Sequence, residues 1–165
     1  MHDNDISYYR RQTSLSGKTA VVTGASGILG RHFCSGLAEA GADLALIDIQ
    51  KDAINLMADE IVDKYNISAK GFTCDVSNPE LVKATISEVV SEFGCINILL
   101  NNAAGKSSDL DLFFAPFEKY DFNQWRQIMS VNLDGMFLVA QAVGNQMVSQ
   151  GEGGSIIQTS SIYGL

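Results

Sequence analysis

The stretch Thr19-Ala20-Val21-Val22-Thr23-Gly24-Ala25-Ser26-Gly27-Ile28-Leu29-Gly30 constrains this chain more than any other. A short apolar run leads into glycines at 24, 27 and 30, and Phe33, Leu37 and Ala40 then continue at helical spacing. The pattern predicts a buried strand, a glycine-rich turn and the first turn of a helix. Such a turn brings bare backbone N–H groups and a helix N-terminus up to a diphosphate, where a side chain would block the approach. Asp48 closes the next apolar run, Leu44-Ala45-Leu46-Ile47, at the place where a carboxylate can grip an adenosine ribose. The expectation is a dinucleotide site to which Gly24, Ser26, Gly27, Ile28, Leu29, Gly30, Asp48 and Ile49 belong.

The rest of the chain alternates in the same way. Strands are predicted at about 19–23, 42–48, 69–74, 96–100 and 155–161, the last containing Ser160 and Ser161. Helices fall between them. One stops at Gly41 and another at Gly94, and the latter opens on a Ser77/Glu80 capping box with Pro79 in its first turn. Asp121 with Gln124 caps a long helix running to about Gln150. The fourth strand is apolar on both faces, as a buried parallel strand should be. Strands alternating with helices imply right-handed crossovers, hence an α/β fold with a doubly wound, Rossmann-like parallel sheet. Residues 1–16 read as a polar N-terminal arm and 17–165 as the dinucleotide-binding domain.

Composition narrows the function. A net charge of −8 with Lys and Arg scattered singly argues against nucleic acid or an anionic membrane surface as partner. No apolar run approaches the ~20 residues of a membrane span. Cys34, Cys74 and Cys95 lie far apart, without CxxC pairing and with only His2 and His32 beside them. No metal site is expected, and free thiols suit a reducing cytoplasm. Asp48 also selects the cofactor, because it repels a 2′-phosphate. A like-charge pair at about 4 Å costs roughly 4 kcal/mol at an effective dielectric of ~20. Neither Ser26, Ile49 nor Gln50 supplies a compensating cation, so the expected cofactor is NAD.

Taken together, the glycine turn, Asp48, Asp75-Val76, Asn101-Asn102-Ala103-Ala104-Gly105, Val131-Asn132 and Ser160-Ser161 resemble the short-chain dehydrogenase/reductase family from about Leu15 to Leu165. The turn is the G-x-x-G-x-x-G variant, with its middle glycine one residue earlier than is commoner in the family. Gly105 is likewise displaced by one from the usual Asn-Asn-Ala-Gly. The resemblance implies that Asp75 bonds the adenine amino group and Val76 lies against the ring; capping of the next helix is the competing role for Asp75. It implies that Asn102, Ala103 and Ala104 line the dinucleotide, while Asn101 bonds backbone to hold strands one and four together. Ser161 resembles the catalytic serine that binds the substrate oxygen, and Asn132 the helix asparagine that holds a water in the proton relay. Trp125, Phe137 and the methionines read as core or subunit interface, and homo-oligomer formation is what the family implies. Phe113, Phe114, Phe117 and Tyr120 either wall a substrate pocket or pack their own loop.

The family's reaction also needs a tyrosine with a lysine four residues later, beyond the serine. No Tyr-x-x-x-Lys follows Ser161. Tyr163 without a lysine keeps an ordinary pKa near ~10 and makes a poor acid at neutral pH. The expectation is the cofactor half of a longer NAD-dependent oxidoreductase, its remaining strands and helices lying past Leu165, and inactive by itself. The chemistry expected of the parent is secondary alcohol–ketone interconversion on a small polar substrate, with sugars and their derivatives one candidate class. The alternative is a non-catalytic dinucleotide-binding module.

Overall fold

A computed structural model describes residues 12–106, 111 and 114–161. The elements run β1 Thr19–Thr23, α1 Ile28–Glu39, β2 Asp43–Asp48, α2 Lys51–Tyr65, β3 Ala69–Thr73, α3 Pro79–Phe93 and β4 Ile98–Asn101. A 3₁₀ turn at Phe117–Lys119 then precedes α4 Phe122–Met129, a π-helical segment Ser130–Gly135, α5 Met136–Gln150 and β5 Ser155–Gln158. The five strands form one parallel sheet in the order β3-β2-β1-β4-β5. Tyr163 and most of the predicted arm (residues 1–11) lie outside the described residues, as does Phe113.

Alternation within β1, β2 and β4 explains why these inner strands are largely apolar on both faces. Ala20, Val22, Leu44 and Leu46 join Cys34, Ala38, Met57 and Ile61 on the α1/α2 face. Val21, Ala45 and Ile47 join Val82, Ile86, Val89, Val139 and Val143 on the α3/α5 face. Both faces are covered over β1, β2 and β4, whereas β5 at the edge is exposed along its length. The end of the predicted arm is tied to this body: Leu15 packs on the α1/α2 core, and its N–H donates to the Ala40 carbonyl at 2.7 Å.

Gly41 and Gly94 stop their helices as expected, at φ of +94° and +81°. Three expectations are corrected. The cap of α3 is Asn78, whose Oδ1 accepts from Glu80 and Leu81 N–H at 3.0 and 3.1 Å. Ser77 instead turns back to Asp75, donating through N–H (2.9 Å) and hydroxyl (2.7 Å) to Oδ1. The predicted long helix is capped by Asp121, which accepts from Gln124 N–H at 2.9 Å, but it is interrupted by the π segment around Asn132. The fifth strand ends at Gln158, where β4 runs out of residues to pair with, so Ser160 and Ser161 lie beyond the ladder. Of the residues expected in the core or a subunit interface, Met147 is buried, while Trp125 and Phe137 are 49% and 60% exposed, which leaves the interface alternative for those two.

The strand order places the chain's reversal between β1 and β4. Successive crossovers move outward from β1 to β3, then return across β1 to β4. A crevice opens beyond the carboxyl ends of strands at such a point, and those ends here are Thr23 and Asn101.

Candidate functional site

The crevice is built around one hydroxyl. Thr23 is fully buried, donates to Asn101 Oδ1 at 3.0 Å, and accepts from the N–H groups of Asn102 (2.9 Å) and Ala103 (3.0 Å). That uses the one donor and both lone pairs a hydroxyl owns. Asn102 returns the connection, its Nδ2 donating to the Thr23 carbonyl at 3.2 Å and reaching the Gly24 carbonyl at 3.4 Å. Asn101 thus holds strands one and four together as expected, but through the Thr23 side chain, and it is Asn102 that bonds β1 backbone. Asn101 also joins the Thr23 hydroxyl to the Met136 carbonyl, to which its Nδ2 donates at 2.8 Å.

Over this floor the glycine turn passes closely. Gly24 has φ +64°, and a Cβ on it would stand 2.9 Å from Ala103 Cα. Backbone cannot yield there, so only glycine allows the approach. A Cβ on Gly30 would lie 2.1 Å from the Gly24 carbonyl oxygen, so the third glycine lets α1 start directly against the turn. Gly27 is the N-cap of α1 and offers no side-chain cap. The N–H groups of Ile28, Leu29 and Gly30 consequently have no partner within the helix. Ile28 and Leu29 are exposed. A tight turn that only glycines allow, and first-turn donors left for a ligand, fit a diphosphate.

Asp48 sits half-buried at the end of β2 and is already oriented. Its Oδ2 accepts the Ser26 N–H at 3.0 Å and the Ser26 hydroxyl at 2.7 Å; Oδ1 accepts Gln50 N–H at 3.1 Å. A carboxylate has about four acceptor positions. One remains for a ribose hydroxyl, and release of the Ser26 hydroxyl opens a second. Ile49 beside it is exposed. Past the end of the neighbouring strand β3, Asp75 is exposed, while Val76 is buried with its backbone and Cγ2 pressed to Gly135. A Cβ on Gly135 would come within 2.9 Å of Val76 Cγ2.

The π segment carries the next candidate. Asn132 Oδ1 accepts Gly105 N–H at 2.6 Å, and its Nδ2 donates to the Gly105 carbonyl at 3.0 Å, a two-point clasp of the loop that follows β4. One-turn π segments within α-helices occur frequently at functional sites because they redirect a side chain from its helical row. Ser161 is exposed beyond β5, and Thr159 links that segment to the crevice through Asn102 Oδ1 at 3.4 Å. Phe117 is 95% exposed, so it does not pack its own loop. With Tyr120, Phe122, Trp125 and Met129 it lines an open apolar groove of about 720 Å³. Cys34 and Cys74 are buried and Cys95 is half-buried; all three are free thiols.

Residues 18–165 match the short chain dehydrogenase family across the turn, the crevice and both candidate catalytic positions. This chain belongs to that family. A sorbose reductase of Candida albicans is 35% identical to this short-chain dehydrogenase over 151 residues, covering 92% of the chain and 52% of that relative. An NADP-dependent mannitol dehydrogenase of Alternaria alternata is 33% identical over 154 residues, covering 92% and 55%. The crystal structure of NAD⁺-bound xylitol dehydrogenase superposes with a TM-score of 0.83 at 34% identity, covering 90% of this chain and 55% of that one. The chain thus spans about half the length of the curated relatives it matches. The family is one of oxidoreductases that use nicotinamide cofactors. No helix among the described residues is long and apolar enough to cross a membrane.

Thr23, Gly105 and Gly135 were missed as site-building residues by sequence reasoning. Thr23, a polar residue ending an apolar strand just before the turn, and Gly105, closing the motif after the fourth strand, carried local signals, and Gly135 did not.

Proposed function

We propose that this chain forms the NAD-binding half of an oxidoreductase that interconverts a secondary alcohol and a ketone on a small polar, sugar-like substrate. One observation carries the reading: a carboxylate at the end of β2 is held by the glycine turn itself, through both donors of Ser26. When bound, the nicotinamide cofactor supplies or accepts the hydride. The first-turn N–H groups of α1 hold its diphosphate, and Gly24, with no Cβ, lets the turn pack directly on Ala103. Asp48 accepts from the ribose hydroxyls and repels a 2′-phosphate. Asp75 and Val76 border the adenine, and Asn102, Ala103 and Ala104 line the path toward the nicotinamide. Ser161 donates a hydrogen bond to the substrate oxygen where negative charge develops, and Asn132 holds a water for the departing proton.

The sugar and polyol names of the sorbose, mannitol and xylitol relatives support a polyhydroxylated substrate. The exposed Trp125, Leu133 and Phe137 along α4, the π segment and α5 support homo-oligomer formation. The free thiols suit the cytoplasm.

The test is calorimetric titration of the chain with NAD and NADP. NAD binds more tightly in the wild type; in Asp48→Ala, NAD affinity falls and the gap to NADP narrows. Unchanged affinity for both cofactors in Asp48→Ala sinks the assignment.

A further inference from the structure

Arg31 stands in α1 where a cation is out of place. It is the fourth helical residue, close to the positive end of the helix dipole, where acidic side chains stabilise and basic ones do not. Its side chain leans toward the helix N-terminus, as helical side chains do, and Nε donates to the Ser26 carbonyl at 3.0 Å. Ser26 is the residue whose N–H and hydroxyl both end on Asp48 Oδ2. A chain of hydrogen bonds therefore runs from the guanidinium through one residue of the turn to the carboxylate that faces the ribose.

We propose that Arg31 is a second specificity-determining residue of the cofactor site: a cation held beside the 2′-position and masked by Asp48. Resting on the assignment of Asp48 to the adenosine ribose, this extends it from one residue to a pair. The Nε bond leaves the terminal guanidinium donors for another acceptor, and a guanidinium fork matches a phosphate better than any other side chain. In the native chain Asp48 is half-buried and Arg31 exposed, so the carboxylate is the less screened charge and a 2′-phosphate is repelled. Once that charge is removed, exposed Arg31 attracts it. Lys51, the first residue of α2, is the rival cation, but among the described residues it makes no hydrogen bond to the turn.

The experiment measures Kd for NAD and NADP by calorimetry in wild type, Asp48→Ala, Asp48→Ala/Arg31→Met, Asp48→Ala/Arg31→Lys and Asp48→Ala/Lys51→Met. Expected is an NADP affinity about tenfold higher in Asp48→Ala than in wild type, weakening with salt. That gain is lost when Arg31→Met is added, kept in part with Arg31→Lys, and kept in full with Lys51→Met. An NAD-to-NADP ratio that is the same in Asp48→Ala and Asp48→Ala/Arg31→Met overturns the proposal while leaving the ribose assignment intact, as does a gain that depends on Lys51. Failure of the wild type to prefer NAD overturns the ribose assignment and the pair with it.

Discussion

Replacing Thr23 by valine removes one oxygen and almost no volume, and the structure says what that oxygen is for. The side chain is fully buried and makes three hydrogen bonds. In Thr23→Val, Asn101 Oδ1 loses its donor at a residue only 1% exposed, a loss worth about 2 kcal/mol. The N–H groups of Asn102 and Ala103 are half-buried and recover part of their bonding from water, so each adds roughly 0.5 kcal/mol. The sum is about 3 kcal/mol, or a fall in Tm of ~6–12 °C for a chain of this size. Thermal unfolding followed by circular dichroism reads it directly. Thr23→Ser keeps the hydroxyl and loses only a methyl group, so it costs about 1 kcal/mol. NAD affinity falls in Thr23→Val, because Asn102 and Ala103 are no longer held under the glycine turn. A Tm within ~2 °C of wild type, or equal losses in the serine and valine variants, refutes the hydroxyl as the organiser of the crevice.

Gly30→Ala places a methyl carbon 2.1 Å from a backbone carbonyl oxygen, so α1 must move off the turn. A loss of about 3 kcal/mol or more is expected by chemical denaturation, with NAD binding abolished. Asn132→Ala breaks both bonds to Gly105; amide exchange at Gly105 accelerates at least tenfold, with protection in β1 and β2 unchanged. Burial pushes the Cys34 thiol up to about 12 from an ordinary value of 9.0. The unfolded chain therefore releases this proton first, and stability present below about pH 9 is lost as pH rises from about 9 toward 12. Denaturation midpoints across that range fall less steeply in Cys34→Ala, and native Cys34 resists iodoacetamide at pH 8.

Much of the fold was readable without coordinates because it rests on local rules. Strand-length apolar runs, helix stops at Gly41 and Gly94, Pro79 in a first turn and the spacing from Gly24 to Asp48 each depend on a few neighbouring residues. Parallel pairing followed, since alternating strands and helices leave few other ways to cover both faces of a sheet. The errors arose where two local solutions compete and a third element decides. Ser77 and Asn78 can both cap α3, and the choice falls to Asn78 because Asp75 engages Ser77. The predicted helix from Asp121 to Gln150 has uninterrupted helical periodicity, yet Asn132 is drawn to Gly105, 27 residues away, and the helix widens there.

By itself, then, the sequence determined the α/β architecture, the glycine turn, the carboxylate at the end of β2 and the family these motifs mark. Their signals lie within one βαβ unit, where steric and hydrogen-bonding rules act between near neighbours. Only the tertiary structure decided that Thr23 joins β1 to the loop after β4, that Asn102 rather than Asn101 braces the turn, and that Arg31 is linked through Ser26 to Asp48. The first two depend on contacts between β1 and β4 across nearly 80 residues of chain. The third depends on how far the Arg31 side chain reaches back over the turn before its helix. Residue spacing does not encode either quantity, because side-chain direction is set by the packing of the whole sheet.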